Sequence, residues 1–255
     1  MLNIVVPMAG RGSRFATAGF DLPKPLIAVH ETVPMIRLVI ENLRPSVAHR
    51  FIFLCLQEHL DTYNVGAKLA GWAGEDTVIV PVNAVTEGAA CTVLLAKSYI
   101  NNDEPMMIAN SDQWVDIEIN DYLAAMDTQN ADGLIMTMTA DHPKWSYVRL
   151  DAGNNITEVV EKQVVSSEAT VGIYNYRHGS DFVKAAESMI AQNLRTNNEF
   201  YVAPAYNEMI AAGQKIVYFN VGAEYDGMYG MGIPEDLAKF EALPVSRKAV
   251  GAVPA

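Results

Sequence analysis

Short, continuously apolar runs alternating with amphipathic stretches restrict this 255-residue chain to a sheet covered on both faces. Leu2–Pro7 (LNIVVP) and Phe51–Leu56 (FIFLCL) are apolar at consecutive positions and too short for buried helices, so they read as strands with no wet face. Between them Ile36, Val39, Ile40 and Leu43 recur at i, i+3, i+4 and i+7, the stripe of a helix lying on such a sheet. The alternation continues with a strand at Thr77–Val82, a helix at Ala89–Tyr99, a strand at Pro105–Ala109 and a helix at Asn120–Asp127, whose first residue is its own N-cap candidate. The fold class is therefore α/β, a doubly wound sheet that is mixed but mostly parallel. After Gly133 the rhythm changes. Leu134–Thr139, Tyr147–Leu150, Ile156–Glu161 and Thr170–Tyr176 read as strands with short connections, one of them Asp151–Asn155, and form a smaller antiparallel part. A helix carrying Phe182, Ala185, Ala186, Met189 and Ile190 follows, then a helix near Ala203–Ala211 and a last strand at Lys215–Phe219. No linker, repeat or low-complexity tract breaks the pattern, so residues 1–245 read as one domain and the Ala-, Val- and Pro-rich residues 246–255 as a flexible tail.

Composition excludes several functions. Eighteen basic against thirty acidic residues give a net charge of −12, which repels nucleic-acid phosphates and anionic lipid surfaces. No apolar run approaches the ~20 residues of a membrane helix, and Arg11 and Arg14 interrupt the N-terminal stretch too early for a secretory signal. A cytoplasmic protein is expected. Cys55 and Cys91 lie in apolar segments and read as buried free thiols, and the five histidines lack metal-ligand spacing.

In open α/β sheets ligands bind at the carboxyl ends of strands, which directs attention to three loops. Gly10-Arg11-Gly12-Ser13-Arg14-Phe15 follows the first strand: glycines let backbone N–H groups approach a phosphate, and the arginines supply positive charge, so it reads as an anion cradle. A Gly-rich turn with solvated arginines is the plain alternative. The dinucleotide fingerprint lacks its third glycine and no Gly-Lys-Ser/Thr is present, which disfavours both the NAD and the Walker readings. Pro23-Lys24-Pro25-Leu26 presents a lysine on a stiffened segment. Asp112 follows the strand ending at Asn110, where a lone carboxylate is suited to hold Mg²⁺ against a phosphate.

Taken in order, these segments resemble the sugar nucleotidyltransferases, enzymes that join a nucleoside triphosphate to a sugar 1-phosphate and release pyrophosphate. Thr86-Glu87-Gly88-Ala89-Ala90 is similar to the loop that contacts the base, Glu161-Lys162 to the family's Glu-Lys pair, Gly172-Ile173-Tyr174 to the strand beyond it, and Gly232–Leu237 to a Gly-Thr-Pro-Glu-Asp segment. The resemblance spans nearly the whole chain and implies a Rossmann-like nucleotidyltransferase fold with a nucleotide-binding half (1–130) and an acceptor-binding half (131–245). It implies that Arg14 stabilises the transferring phosphate and the leaving pyrophosphate, that Lys24 bridges the phosphates, and that Asp112 holds Mg²⁺. Nucleotide contacts would come from Met8, Ala9, Gly10, Arg11, Gly12, Ser13, Glu87, Gly88 and Ala89, and acceptor contacts from Glu161, Lys162, Gly172, Glu199 and Tyr201. Trp145 and Tyr147 could line the same pocket, although core positions are the plainer reading of aromatics.

Departures from the family pattern sharpen the expectations. The resemblance implies that the family's second metal carboxylate falls at Gly230 here, with Asp226, or else Glu224, as its substitute, or a single metal with water sufficing in its place. His30-Glu31-Thr32-Val33 replaces a tight Asn-Gly type turn and is one residue longer. In its length the chain is similar to cytidylyl- and guanylyl-transferring members more than to thymidylyl enzymes, so CTP is slightly favoured; the resemblance further implies a sugar 1-phosphate, or else a small phosphomonoester such as phosphocholine, as acceptor, and a role in supplying surface polysaccharide. Oligomerisation stays open. Two other classes compete: a nucleotide-sugar glycosyltransferase, whose Asp-x-Asp motif Asp112-Gln113-Trp114 does not match, and a non-catalytic nucleotide-binding protein, suggested by Gly230.

Overall fold

A computed structural model describes residues 1–254. The first half runs β1 (Leu2–Met8), α1 (Ser13–Thr17), a 3₁₀ turn (Lys24–Leu26), the hairpin β2 (Ala28–Val29) and β3 (Val33–Pro34), α2 (Met35–Leu43), β4 (His49–Leu56), α3 (Gln57–Tyr63), α4 (Val65–Ala73), β5 (Val78–Val82), α5 (Ala89–Leu94), α6 (Lys97–Ile100), β6 (Met106–Ala109), β7 (Gln113–Val115) and α7 (Ile119–Thr128). The second runs β8 (Gly133–Thr139), β9 (Ser146–Leu150), β10 (Ile156–Glu161), β11 (Glu168–Tyr176), α8 (Gly179–Ala191), a 3₁₀ turn (Ala203–Ala205), α9 (Tyr206–Ala211), β12 (Ile216–Glu224), β13 (Gly227–Gly230), α10 (Pro234–Ala242) and α11 (Pro244–Gly251). Apart from the β2–β3 hairpin, the strands form one eleven-stranded sheet of order β5-β4-β1-β6-β11-β8-β12-β13-β7, with β9 and β10 attached through β11.

The expected parallel block is present: β5, β4, β1 and β6 are mutually parallel, whereas β11 runs antiparallel to both β6 and β8. Side-chain alternation sorts each central strand onto two faces. Ile4, Val6, Phe51, Phe53 and Met107 pack with α2, α4 and α7 on one side, and Val5, Ile52, Leu54, Met106 and Ile108 pack with α5, α8 and α9 on the other. Each such side chain contributes about 1.5–3 kcal/mol by leaving water, which is why the strands carry no polar face. Cys55 is buried within this block, and burial pushes its thiol up to about 12, while Cys91 is only half-buried.

Several local expectations are corrected. Ala89–Tyr99 is not one helix: Leu95 and Ala96 bond to Thr92 and Val93, an i→i+3 tightening, before α6 restarts at Lys97. Asn120 does not cap α7, which starts one residue earlier behind Glu118; its Oδ1 accepts instead from the Ser46 amide and hydroxyl, both at 2.9 Å. The antiparallel part carries a further pair of short strands, β7 and β13, which pair with each other. Residues 246–255 are not a flexible tail over their described length. The helix α11 covers 244–251, Ser246 and Ala249 are buried, and Ala255 lies outside the described residues.

That helix is held by the hairpin it covers. The Ser246 hydroxyl donates to Leu243 O at 2.7 Å, so its lone pair accepts from His30 Nε2 at 2.7 Å, and the His30 amide donates to Glu241 Oε1 at 2.6 Å. His30 and Glu31 both have positive φ (50° and 56°), so the longer turn anticipated here forms the hairpin tip in a conformation that α10 and α11 hold in place. Ser246→Ala removes the hydroxyl with little change of volume at this buried position, and is expected to cost about 1–3 kcal/mol in urea denaturation.

Candidate active site

Three chain segments far apart in sequence meet beyond the carboxyl ends of β1 and β6. Gly12, with φ 61°, turns the loop after β1 so tightly against Lys24 that a Cβ on it would lie 3.2 Å from the Lys24 Cβ. Pro25 and Leu26 are buried and anchor the 3₁₀ turn from which Lys24 projects. Its ammonium meets Asp112 Oδ2 at 2.6 Å, with both side chains about one-fifth exposed (22% each). Asp112 is itself fixed by the strand insertion: its carbonyl accepts from the Met231 amide at 2.7 Å, and a Cβ at Gly232 would stand 3.0 Å from its Oδ2. The glycine at 232 thus leaves the carboxylate room. Arg14, on α1, lines an adjoining open concavity of about 370 Å³ with Ser13, Thr17, Ala18, Pro234 and Glu235. Among the described residues neither Arg11 nor Arg14 forms an ion pair, so two cations of a strongly acidic chain stand free at this edge. Met8 and Ala9 are buried beneath them, and Gly10 faces open space.

A second cavity, of about 290 Å³, lies beside this edge, and Glu161, Lys162, Gly172 and Tyr201 all line it together with Ala89. Glu161 ends β10, and burial raises its carboxyl above the usual range, assisted by Glu199 and opposed by the Ser146 hydroxyl and Lys162. The Lys162 ammonium stands 5.1 Å from the Tyr201 ring centroid. Tyr201 is raised by burial, with Lys162 and Glu199 both beside its hydroxyl; Glu199 itself is exposed and does not line the cavity. Gly172 has φ 84°, and a Cβ there would overlap Asn110 Nδ2 at 2.0 Å. Trp145 lines the cavity with the Lys144 ammonium 4.5 Å over its ring. Tyr147 does not: it is fully buried and donates to the His142 carbonyl at 2.8 Å.

The structure does not bring Asp226 to Asp112. Gly230 pairs with Gln113 and Met228 with Val115, so Asp226, four residues before Gly230, lies at the far end of the β7–β13 ladder, about 13 Å along at ~3.3 Å per residue. Glu224 is no substitute, because it pairs with Lys144 at 2.6 Å on the side of the second cavity. Instead, Asp236 Oδ2 lies 3.9 Å from where a side chain at 230 would begin, and its Oδ1 accepts from the Tyr225 hydroxyl at 2.8 Å. No cluster of three or more His, Cys, Asp or Glu suited to a metal occurs among the described residues. Asp112 alone fits Mg²⁺, which commonly takes one or two carboxylates and completes its shell with phosphate and water. Lys144 and Thr170, which also line the cavity, belong to none of the motifs read from the sequence, whereas Tyr174 falls in the Gly172-Ile173-Tyr174 segment and Asn110 ends the predicted strand before Asp112.

The base-loop candidate follows β5 and is stitched to the segment before Tyr201. The Phe200 amide donates to Glu87 O at 2.8 Å, the Ala90 amide donates to Phe200 O at 3.0 Å, and Thr86 Oγ1 donates to Gly88 O at 2.9 Å. Gly88 has φ 134°, and a Cβ on it would approach Phe200 O to 2.4 Å. Gly88→Ala therefore meets both backbone strain and a backbone clash and is expected to lose at least ~1–3 kcal/mol in denaturation. Gly10→Ala, in open space, is expected to stay within about 0.5 kcal/mol of the natural protein.

The comparisons with known proteins bear on this arrangement. A nucleotidyl transferase family model matches residues 4–225. Among solved structures, the chain is similar to a nucleoside-diphosphate-sugar pyrophosphorylase from Vibrio cholerae RC9 (TM-score 0.79, 23% identity, 94% of this chain and 100% of that one). It is similar also to the inositol-1-phosphate CTP transferase from T. maritima (0.71, 13%, 98% and 95%) and to a UDP-glucose pyrophosphorylase from Acinetobacter baumannii (0.70, 17%, 98% and 98%). At such identities the likeness shows a common fold. No curated protein matches the chain by sequence. No helix among the described residues is long and apolar enough to cross a membrane. Because the family model spans most of the chain, from within β1 through the β12–β13 turn, this protein belongs to the nucleotidyl transferase family.

Proposed function

We propose that this enzyme transfers a nucleotidyl group from a nucleoside triphosphate to a sugar 1-phosphate, releasing pyrophosphate and supplying an activated precursor for surface polysaccharide. The observation that carries the reading is the meeting of Lys24 and Asp112 beside a glycine loop with free arginines, one strand away from a cavity built around Glu161 and Lys162. A phosphomonoester oxygen is already ionised, so the enzyme needs no activated nucleophile; it must bring two anions together and hold them in line. Arg11, Arg14 and Lys24 supply the positive charge at the triphosphate, and Lys162 supplies it at the acceptor phosphate. Mg²⁺ bound at Asp112 would neutralise further charge on the triphosphate. Asp112, which would hold the metal, is paired with Lys24 at 2.6 Å, so the same pair keeps the Lys24 ammonium beside the place where the phosphates would bind.

The cavity favours a polyol phosphate over a quaternary ammonium acceptor such as phosphocholine. The rings of Trp145 and Tyr201, which could face such a cation, already carry the ammonium groups of Lys144 and Lys162. Glu161 and the buried Thr170–Tyr174 hydroxyl pair, 2.9 Å apart, offer acceptors and donors to sugar hydroxyls. Neighbours of the same fold named for inositol 1-phosphate and UDP-glucose support this class.

The test is pyrophosphate release with Mg²⁺ across CTP first, then GTP, UTP, dTTP and ATP, against sugar 1-phosphates, inositol 1-phosphate and phosphocholine. Release with a sugar phosphate is expected, and release with phosphocholine alone overturns the acceptor assignment. Lys24→Ala and Asp112→Ala are each expected to lower turnover about 10²–10³-fold with unchanged circular dichroism. Since Glu161 titrates above the ordinary carboxylate range and binds hydroxyls as the anion, the acceptor KM is expected to be flat at high pH. It should climb as pH falls through that raised pKa, still above the ~4.3 of a free glutamate. Glu161→Gln should abolish this inflection in the KM profile.

A further inference from the structure

Arg195 connects the base loop to the wall of the acceptor cavity, and nothing in the proposed reaction uses it. Its guanidinium pairs with Glu87, its Nε donates to Asn193 Oδ1 at 2.6 Å, and its Cζ stands 4.3 Å from the Phe200 ring centroid. Phe200 is buried, and its amide and carbonyl are the groups bonded to Glu87 and Ala90. Side chains and main chain therefore tie the two segments at the same point. On either side of that tie Ala89, Tyr201, Val202 and Ala203 line the cavity. The loop that carries Arg195 has little regular structure to hold it. Asn193, Asn197 and Asn198 all take positive φ (55°, 50° and 63°), and one two-residue bridge, Thr196 with Glu199, closes it. A planar guanidinium can pair with a carboxylate edge-on and lie flat on an aromatic ring at once, which an ammonium does poorly.

We propose that Arg195 is a positioning residue that makes the base loop and the acceptor wall one unit, so that a nucleoside triphosphate bound at 86–90 orders residues 199–203 for the acceptor. The inference rests on the reading of 86–90 as a nucleotide loop. Its physical basis is that a segment ordered by the first ligand need not be ordered again by the second, which gives favourable coupling without new contacts.

The experiment is hydrogen exchange by mass spectrometry on the full chain, with and without the nucleotide among CTP, GTP, UTP, dTTP and ATP that binds most tightly with Mg²⁺ in calorimetry. In the natural protein, nucleotide is expected to slow exchange across 199–203 about tenfold. Arg195→Met should bind nucleotide yet lose that slowing, Arg195→Lys should keep part of it, and in turnover Arg195→Met should raise the acceptor KM about tenfold with kcat within about twofold. Should Arg195→Met not fold, Arg195→Gln, which keeps a polar side chain and removes the charge that pairs with Glu87, is expected to bind nucleotide and lose the same slowing. Nucleotide binding that leaves 199–203 unchanged in the natural protein, or slowing retained in Arg195→Met, overturns the coupling and leaves the nucleotide loop standing. Faster exchange in Arg195→Met to the same degree with and without nucleotide, the slowing intact, marks a structural role and likewise overturns it. Binding of none of the five nucleotides removes the loop assignment and the coupling together.

Discussion

Everything at the candidate site depends on the parallel pairing of β1 with β4 and β6. Parallel strands end at the same edge, so the loop after Met8 and the loop after Ala109 emerge side by side although about a hundred residues separate them. That geometry allows a lysine on the first loop's continuation to reach Asp112 at 2.6 Å. An ion pair at this depth is weak evidence of stability, because desolvation offsets much of its Coulomb attraction. Its significance is chemical: opposite charges gathered where a phosphate and a cation would be exchanged.

The second cavity, proposed for the acceptor, is built on a different principle. There β11 reverses direction between β6 and β8, and β9 and β10 fold out from it, so the cavity is walled by strands and by the 3₁₀ turn at Ala203–Ala205. Buried hydroxyls and a carboxyl raised by burial share this space with two lysines. A low local dielectric strengthens each contact that a polar ligand would make there and penalises any left unmade.

Much of the fold was legible in the chain because apolar periodicity is a local property. Phe51–Leu56 could be only a doubly covered strand, and Ile36–Leu43 only a helix lying on one. What escaped was short or context-made. The three residues of β7 and four of β13 are too few to show a period, and α3 with α4, joined at Asn64 (φ 52°), carry little that marks their ends. Residues 246–255 looked too featureless to fold, yet Ser246 is buried because His30, over two hundred positions earlier, supplies its partner.

The candidate site divides in the same way. Residue type and order sufficed to single out the glycine loop, Lys24 and Asp112, since phosphate chemistry calls for cations and conformationally free backbone in short local motifs, whereas the Glu161-Lys162 pair was picked out by the family resemblance alone. Which carboxylate stands near Gly230 was decided only by the pairing of β7 with β13, which carries Asp226 away along the ladder and lets α10 bring Asp236 in. The same holds for Arg195, whose meaning lies wholly in its partners Glu87 and Phe200. The sequence by itself determined the longer strands and helices and the local motifs, because those follow from neighbours along the chain. Only the tertiary structure decided which charges meet, because ion-pair geometry and burial depend on residues that the register of a sheet brings within a few ångströms.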